Sequence, residues 1–386
     1  MKIIRYIIAL VLAGLSHQTF AYPNFVGYGY TSCLTCHYNP FGNGPLTDYG
    51  RALGATTIAD NILYADTPLD KVGERSGFMF KKHSNTWLRP SVDYRGLYLK
   101  RDIDNDLSES IWIHMDANVN LVLRMGPKDN KDKFIASFTL GYSPLPTNGQ
   151  FEGETTFRTR EHYLGYRFNE NWGLYAGLMD KVYGIRIPDH NTFARTITAN
   201  TQNDQTHSLL LHYTSPSFDI GLQPFVGNMA EDDVVRQKGL AATIEYTLNN
   251  QARPGASFQM SESEFLKQYA AAIHTRLGFG KGNSIMGEIG IVKEEQIKRL
   301  TENTSRYWML QTHLLLRKGF FILNTVEYLK ANTENESKTL RWGPGVQYFI
   351  AQGLELRMDL YNTRVFSETS VSNDVWDLTA QVHLWF

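Results

Sequence analysis

The chain has 386 residues, with 38 Lys+Arg against 39 Asp+Glu and a net charge of −1 at pH 7. It carries no nucleic-acid patch, phosphate loop, Ser/His/Asp spacing or second metal motif, so nucleic-acid binding and those enzyme classes drop out. Aromatic residues make up 13% and the mean hydropathy is −0.33, which fits elements that turn one face to water.

In chain order, residues 1–21 read as a secretory signal. Lys2 and Arg5 give a charged start, and Ile7 to Leu15 is too short for a stop-transfer span. Thr19-Phe20-Ala21 ends in a small residue suited to cleavage. The mature chain is then expected to begin near Tyr22, in an oxidising space.

Residues 22–85 form the second segment and hold both cysteines, in Cys33-Leu34-Thr35-Cys36-His37. A thioredoxin-type disulfide would need a strand before the pair and a helix starting at it. The flanking "HYNPFGNGP" offers neither. Half a zinc site would need a second Cys-x-x-Cys. The remaining reading is covalent haem attachment, for which C-x-x-C-H is the signature. Two thiols at this spacing can take both vinyl groups of one haem c, and His37 can reach the iron as proximal ligand. A plain Cys33–Cys36 disulfide stays as the alternative. Gly42 and Gly44 allow close approach of backbone to a flat ring. Pro45 is expected to open a short helix whose Leu46, Tyr49 and Leu53 form an apolar stripe.

From residue 86 to 386 the pattern changes to two-residue alternation. In "SIWIHMDANVNLVLRMG", Ile111, Ile113, Met115, Ala117, Val119 and Leu121 fall on one face. In "SRYWMLQTHLLLRKG", Leu310, Leu314 and Leu316 oppose Tyr307, Met309, Gln311 and His313. In the last segment Leu378, Val382 and Leu384 oppose Thr379, Gln381 and His383. Strands are expected at 87–100, 110–126, 132–144, 155–169, 172–186, 204–215, 217–230, 234–249, 254–261, 264–279, 283–296, 304–318, 319–331, 338–350, 352–366 and 374–386. Sixteen is an even number. Long polar connections such as "PDHNTFARTITANTQND" alternate with tight ones such as "GKGN" and "AQG". Tryptophans stand near strand ends. These features define an all-β, 16-stranded antiparallel transmembrane β-barrel with a small N-terminal haem-bearing plug, set in outer-membrane lipid.

The whole arrangement resembles the fused cytochrome–porins of bacterial outer membranes. At residue level the likeness runs from Cys33 to Tyr49-Gly50-Arg51, and for the barrel it is architectural. The terminal "HLWF" is similar to the closing strand of outer-membrane barrel proteins. The resemblance implies electron transfer through one haem between an extracellular donor or acceptor, with ferrous iron as the candidate, and a periplasmic cytochrome. A passive porin carrying a structural or sensory haem is the competing reading.

A distal iron ligand would be His or Met. The lumen face of the strands offers His274 and His313, and the connector offers His83. His114, Met79 and Met309 are further candidates. Arg158, Arg160, Arg276 and Arg317 are candidates to pair haem propionates. Acidic groups in expected outer loops, among them Glu231, Asp232, Asp233, Glu334 and Glu336, suit cations at the mouth or divalent ions that bridge lipopolysaccharide.

Overall fold

The computed structural model describes residues 23–82, 86–103, 108–127, 130–144, 155–189, 191–367 and 374–386. The expected signal segment and His83 lie outside these residues.

Sixteen strands follow one another around a closed wall. They are β1 (Leu88–Lys100), β2 (Ser110–Met125), β3 (Phe134–Pro144), β4 (Thr155–Arg167), β5 (Trp172–Met179), β6 (Thr206–Thr214), β7 (Phe218–Phe225) and β8 (Lys238–Tyr246). The second half comprises β9 (Ala252–Glu262), β10 (Leu266–Phe279), β11 (Asn283–Gln296), β12 (Thr301–Arg317), β13 (Phe320–Lys330), β14 (Lys338–Ala351), β15 (Leu354–Phe366) and β16 (Val375–Trp385). Every neighbouring pair is antiparallel, and β16 closes on β1 with Asp93 opposite Trp385 and Lys100 opposite Leu378. Closure leaves no open edge, which is what a sheet needs where no water can satisfy its backbone.

The alternation of the sequence appears as a dry outer face. Leu121, Leu140, Leu222, Ile273, Ile289 and Leu310 are all exposed on the outside of the wall. Such a surface is built for a bilayer, and the architecture is that of a bacterial outer-membrane barrel. Cross-strand aromatic pairs mark both ends. Trp172–Tyr213 and Phe320–Tyr348 lie beside the tight turns, and Trp342–Trp376 lies towards the loops. Both barrel termini are at the tight-turn end, which in this class of barrel faces the periplasm.

Two expectations change. A bulge opposite Arg95/Gly96 places Asp116 beside Arg95 and His114 beside Gly96. The parity of β2 therefore switches at Met115, which is buried inside, and His114 turns outwards between Tyr94 and Trp112. Ile111, Ile113 and Met115 thus do not share a face with Val119 and Leu121. The second change is that β5 stops at Met179 rather than running to 186. Residues 180–189 and 191–205 fold inwards instead of forming an outer loop, and Val182, Tyr183, Ile185 and Ile187 are buried there. This stretch includes a short helix, α3 (Phe193–Ile197), named after the two helices of the N-terminal segment below.

Residues 23–82 fill the tight-turn end as short helical turns. Thr47 caps helix α1 (Asp48–Leu53), its Oγ1 accepting from the Gly50 amide at 3.0 Å. The helix therefore starts later than Pro45. A second helix, α2 (Leu69–Glu74), follows. Phe25, Tyr30, Cys36, Leu53 and Ile58 pack as one apolar cluster with Phe321, Leu323 and Phe349 of the wall. Polar ties fix the docking. Arg89 donates to both Asp48 oxygens at 2.5 and 2.8 Å, and Arg124 adds a third bond at 2.7 Å. The Gly282 amide donates to the Gly27 carbonyl at 2.9 Å. Gly27 is required by this approach, since an added Cβ would lie 2.4 Å from the Asn283 carbonyl oxygen.

Candidate functional site

The Cys33-Leu34-Thr35-Cys36-His37 stretch forms a tight turn. The amides of Cys36 and His37 both donate to the Cys33 carbonyl, at 3.1 and 3.0 Å. One turn of helix thus separates Cys33 from His37, which puts the two side chains on the same side of the chain. His37 then pairs with Leu46 in an isolated bridge, and "NPFGNGP" is the loop between them. That loop reaches up into the lumen. Asn39 Nδ2 donates to Glu161 at 2.8 Å and Asn43 Nδ2 to Asp180 at 2.9 Å.

Above the turn is a cavity with the N-terminal segment as its floor, the inward 180–205 segment as its cover and the barrel as its wall. Its volume is about 280 Å³, at the lower edge of the ~300–1,000 Å³ usual for a small-molecule or cofactor site. Cys33, His37, Gly42, Gly44, Pro45 and Leu46 line the floor. Tyr183, Ile185 and Ile187 make an apolar cover.

Cys36 does not line this space. It is buried behind the floor, with helix α1 close against it. An added Cβ on Gly50 would lie 2.5 Å from the Cys36 carbonyl oxygen. The stripe expected along the helix is split. Leu46 faces the cavity, Leu53 joins the cluster around Cys36, and exposed Tyr49 bonds Tyr30 hydroxyl to hydroxyl at 2.8 Å.

Cys33 is a half-buried free thiol, and Cys36 is buried. Burial pushes the Cys33 thiol up, with Arg276 pulling the other way and Glu245 adding to the rise. A redox-active dithiol wants the reverse, a lowered thiol that is readily a thiolate.

The lumen brings five arginines to the cavity: Arg95, Arg160, Arg186, Arg195 and Arg276. Arg276 binds Glu245 at 2.5 Å, and Arg186 binds Asp180. Arg195 donates to the carbonyls of Ile187 and Asn200, both at 2.7 Å. Burial lowers Arg186 to about 10, and nearby Arg195 adds to the fall. Burial likewise lowers Arg195 to about 10. Both therefore stay charged at neutral pH. Arg186 Nη1 is buried without a hydrogen-bond partner, a donor suited to an incoming carboxylate.

These observations test the chain against a c-type haem. Cys33, His37 on the same side of the turn, an apolar cover and an orphaned guanidinium donor fit such a group, whereas Cys36 sits behind the floor. Of the expected propionate partners, Arg160 and Arg276 line the cavity. Arg158 instead bonds Asn203, and Arg317 lies exposed at the turn end beside Tyr348.

The distal candidates fare differently. His274 is buried on β10, its Nε2 3.4 Å from Glu245 and close against the Gly255 backbone. His313 is buried on β12. Neither lines the cavity, and neither does Met309, which packs with Ile185, Ile187 and Met286. Met79 is exposed outside it. The alternation had placed His274 and His313 correctly on the inner face. It carries no information on which inner residues are walled off by the N-terminal segment or by residues 180–205. Among the described residues, the histidine that joins His37 in lining the cavity is His383. Its inward parity was legible; its proximity to the motif depends on the β16–β1 closure.

The fold and site define a porin-type outer-membrane barrel whose lumen is occupied from both ends. The chain matches no protein-family model and no curated protein. Among solved structures it is similar to the outer-membrane protein OmpT of Vibrio cholerae, at 10% identity and a TM-score of 0.61, over 79% of this chain and 99% of that one. The anion-selective porin of Comamonas acidovorans matches at 9% identity and 0.57, over 78% and 99%. The outer-membrane channel DcaP of Acinetobacter baumannii matches at 12% and 0.56, over 78% and 97%.

Proposed function

We propose that this chain is an outer-membrane cytochrome–porin. It would pass electrons between an extracellular donor or acceptor, ferrous iron being the candidate donor, and a periplasmic cytochrome. The observation that carries the reading is the position of Cys-x-x-Cys-His. Its Cys33 and His37 face a closed-over cavity inside the barrel rather than free periplasm. A bound haem would supply a one-electron ferric/ferrous couple.

The chain's own residues set the conditions. Cys33 from the cavity floor and Cys36 from behind it would hold the group, and His37 would offer its imidazole. Arg186 and Arg195 favour carboxylates on the cover side, and Arg276, which donates to the Thr31 carbonyl, does so on the floor side. The Asp48–Arg89–Arg124 ties keep the N-terminal segment seated, so that the turn end stays blocked to solutes. Exposed acidic residues at the opposite mouth, among them Asp233 and Glu334, would concentrate cations or hold divalent ions against lipopolysaccharide.

A diffusion channel is the second reading, favoured by likeness in fold to an anion-selective porin and an outer-membrane channel. Two measurements on purified protein separate them. The cytochrome reading expects haem that survives a denaturing gel and low conductance in planar bilayers. A haem-free protein with porin-like conductance would overturn it.

A further inference from the structure

We propose that His383 Nε2 is the second axial ligand of the iron, with Glu355 as its positioning residue. This rests on the cytochrome reading above and goes beyond it. His383 lies on β16 and lines the same cavity as His37. Its Nδ1 is 3.1 Å from Glu355 Oε2 on the neighbouring strand. The other oxygen, Oε1, accepts from Gln347 Nε2 at 2.6 Å. Both carboxylate oxygens thus act as acceptors, so the proton of a neutral imidazole sits on Nδ1. Nε2 is left with its lone pair. A carboxylate that fixes the tautomer and ring orientation in this way is the usual support of a metal-ligating histidine.

The alternatives lack this arrangement. His274 does not line the cavity, and its Nε2 lies 3.4 Å from Glu245, close against the Gly255 backbone. His212 Nε2 is held by Asp219 at 2.7 Å. Among the described residues, no methionine lines the cavity. A second observation ties His383 to the haem-bearing segment. Arg51, on the helix after the motif, donates to the Phe386 carbonyl at 3.2 Å, three residues from His383. The Trp385 ring packs 4.8 Å from the imidazole and against the apolar cluster that holds Cys36. The end of β16 and the attachment motif are therefore set by shared contacts.

The experiment is optical and electron paramagnetic resonance spectroscopy of purified wild type, His383→Ala and His383→Met, each checked for covalent haem on a denaturing gel and for a folded barrel by its heat-dependent mobility. Wild type should be low-spin and six-coordinate. His383→Ala should keep its covalent haem, turn high-spin, and return to low-spin when imidazole is added. His383→Met should stay six-coordinate with a higher potential, because a thioether ligand raises it. Glu355→Gln should keep the low-spin signal and also shift the potential upwards, as the ligand loses its carboxylate. If His383→Ala keeps the wild-type low-spin spectrum, or if wild type is itself high-spin, the ligand assignment is wrong while the haem stands. If one variant fails to fold, the other and the wild-type spectrum still decide. A wild type without covalent haem overturns both readings.

Discussion

The wall and the plug of this barrel are held by different physics. In the wall each residue has one of two fates, lipid or lumen, and backbone bonds to two neighbours fix it in place. Hydrophobic spacing alone therefore specifies it. The plug has no regular period. Turns of three to six residues are held by a small apolar cluster and a few buried charge pairs. The wall should thus respond to changes of polarity on its outer face. The plug should respond to loss of single named contacts, and its failure should leave the wall intact.

The sharpest test of that separation is at the motif. Cys36→Ala or Cys33→Ala should abolish haem that survives gel denaturation, while the heat-dependent mobility of a folded barrel stays unchanged. Equal loss of barrel would mean that wall and plug are one cooperative unit.

Next in size is the outer face. Leu310→Arg, mid-strand on β12, should destabilise the barrel by ~2–4 kcal/mol, and Leu316→Arg, beside the turn, by only ~0–1, read from unfolding in lipid vesicles. Equal costs would contradict the depth assigned to this strand. Gln311, on the inner face, is no neutral comparator. It is 1% exposed and bonds Thr325 at 3.0 Å, so Gln311→Arg would be expected to overpack the filled lumen.

The smallest effect concerns the seating of the plug. Asp48→Ala leaves Arg89 without its carboxylate, whereas Arg124 keeps Asp132. The docking should weaken by about 1.5–3 kcal/mol, towards the lower figure because Asp48 is partly exposed. Planar-bilayer conductance should rise while haem content holds. Unchanged conductance would mean that the apolar cluster alone seats the segment.

How much was legible in the sequence follows the same division. All sixteen strands were, and so was the parity of β12 and β16, because period-two burial is a local signal. The end of β5 was misread for an instructive reason. The apolar residues Val182, Ile185 and Ile187 belong to an inward segment and lie inside without ladder partners in the wall, and Asp180, Lys181, Val182 and Tyr183 are buried in succession rather than in alternation. The parity of β2 failed at a bulge, which adds one residue and leaves no mark in the pattern. At the site, the shared placement of Cys33 and His37 was legible because they belong to one short motif, whereas the position of Cys36 behind the floor was not. His383 was not, because its relation to them depends on strands 1 and 16 meeting and on Glu355 standing across from it. Helix α1 was expected from Pro45, but Thr47 is the residue whose side chain satisfies its first turn.

The central claim is that the lumen of this barrel carries electrons and that His37 is required for it. It is tested most directly by absorption spectroscopy of intact cells given ferrous iron, comparing wild type with His37→Ala at equal barrel content. The account predicts that the wild-type haem becomes reduced from outside and that the His37→Ala variant shows no such reduction. A wild-type haem that stays oxidised with every external donor, yet is readily reduced by periplasmic extract, would contradict inward transfer.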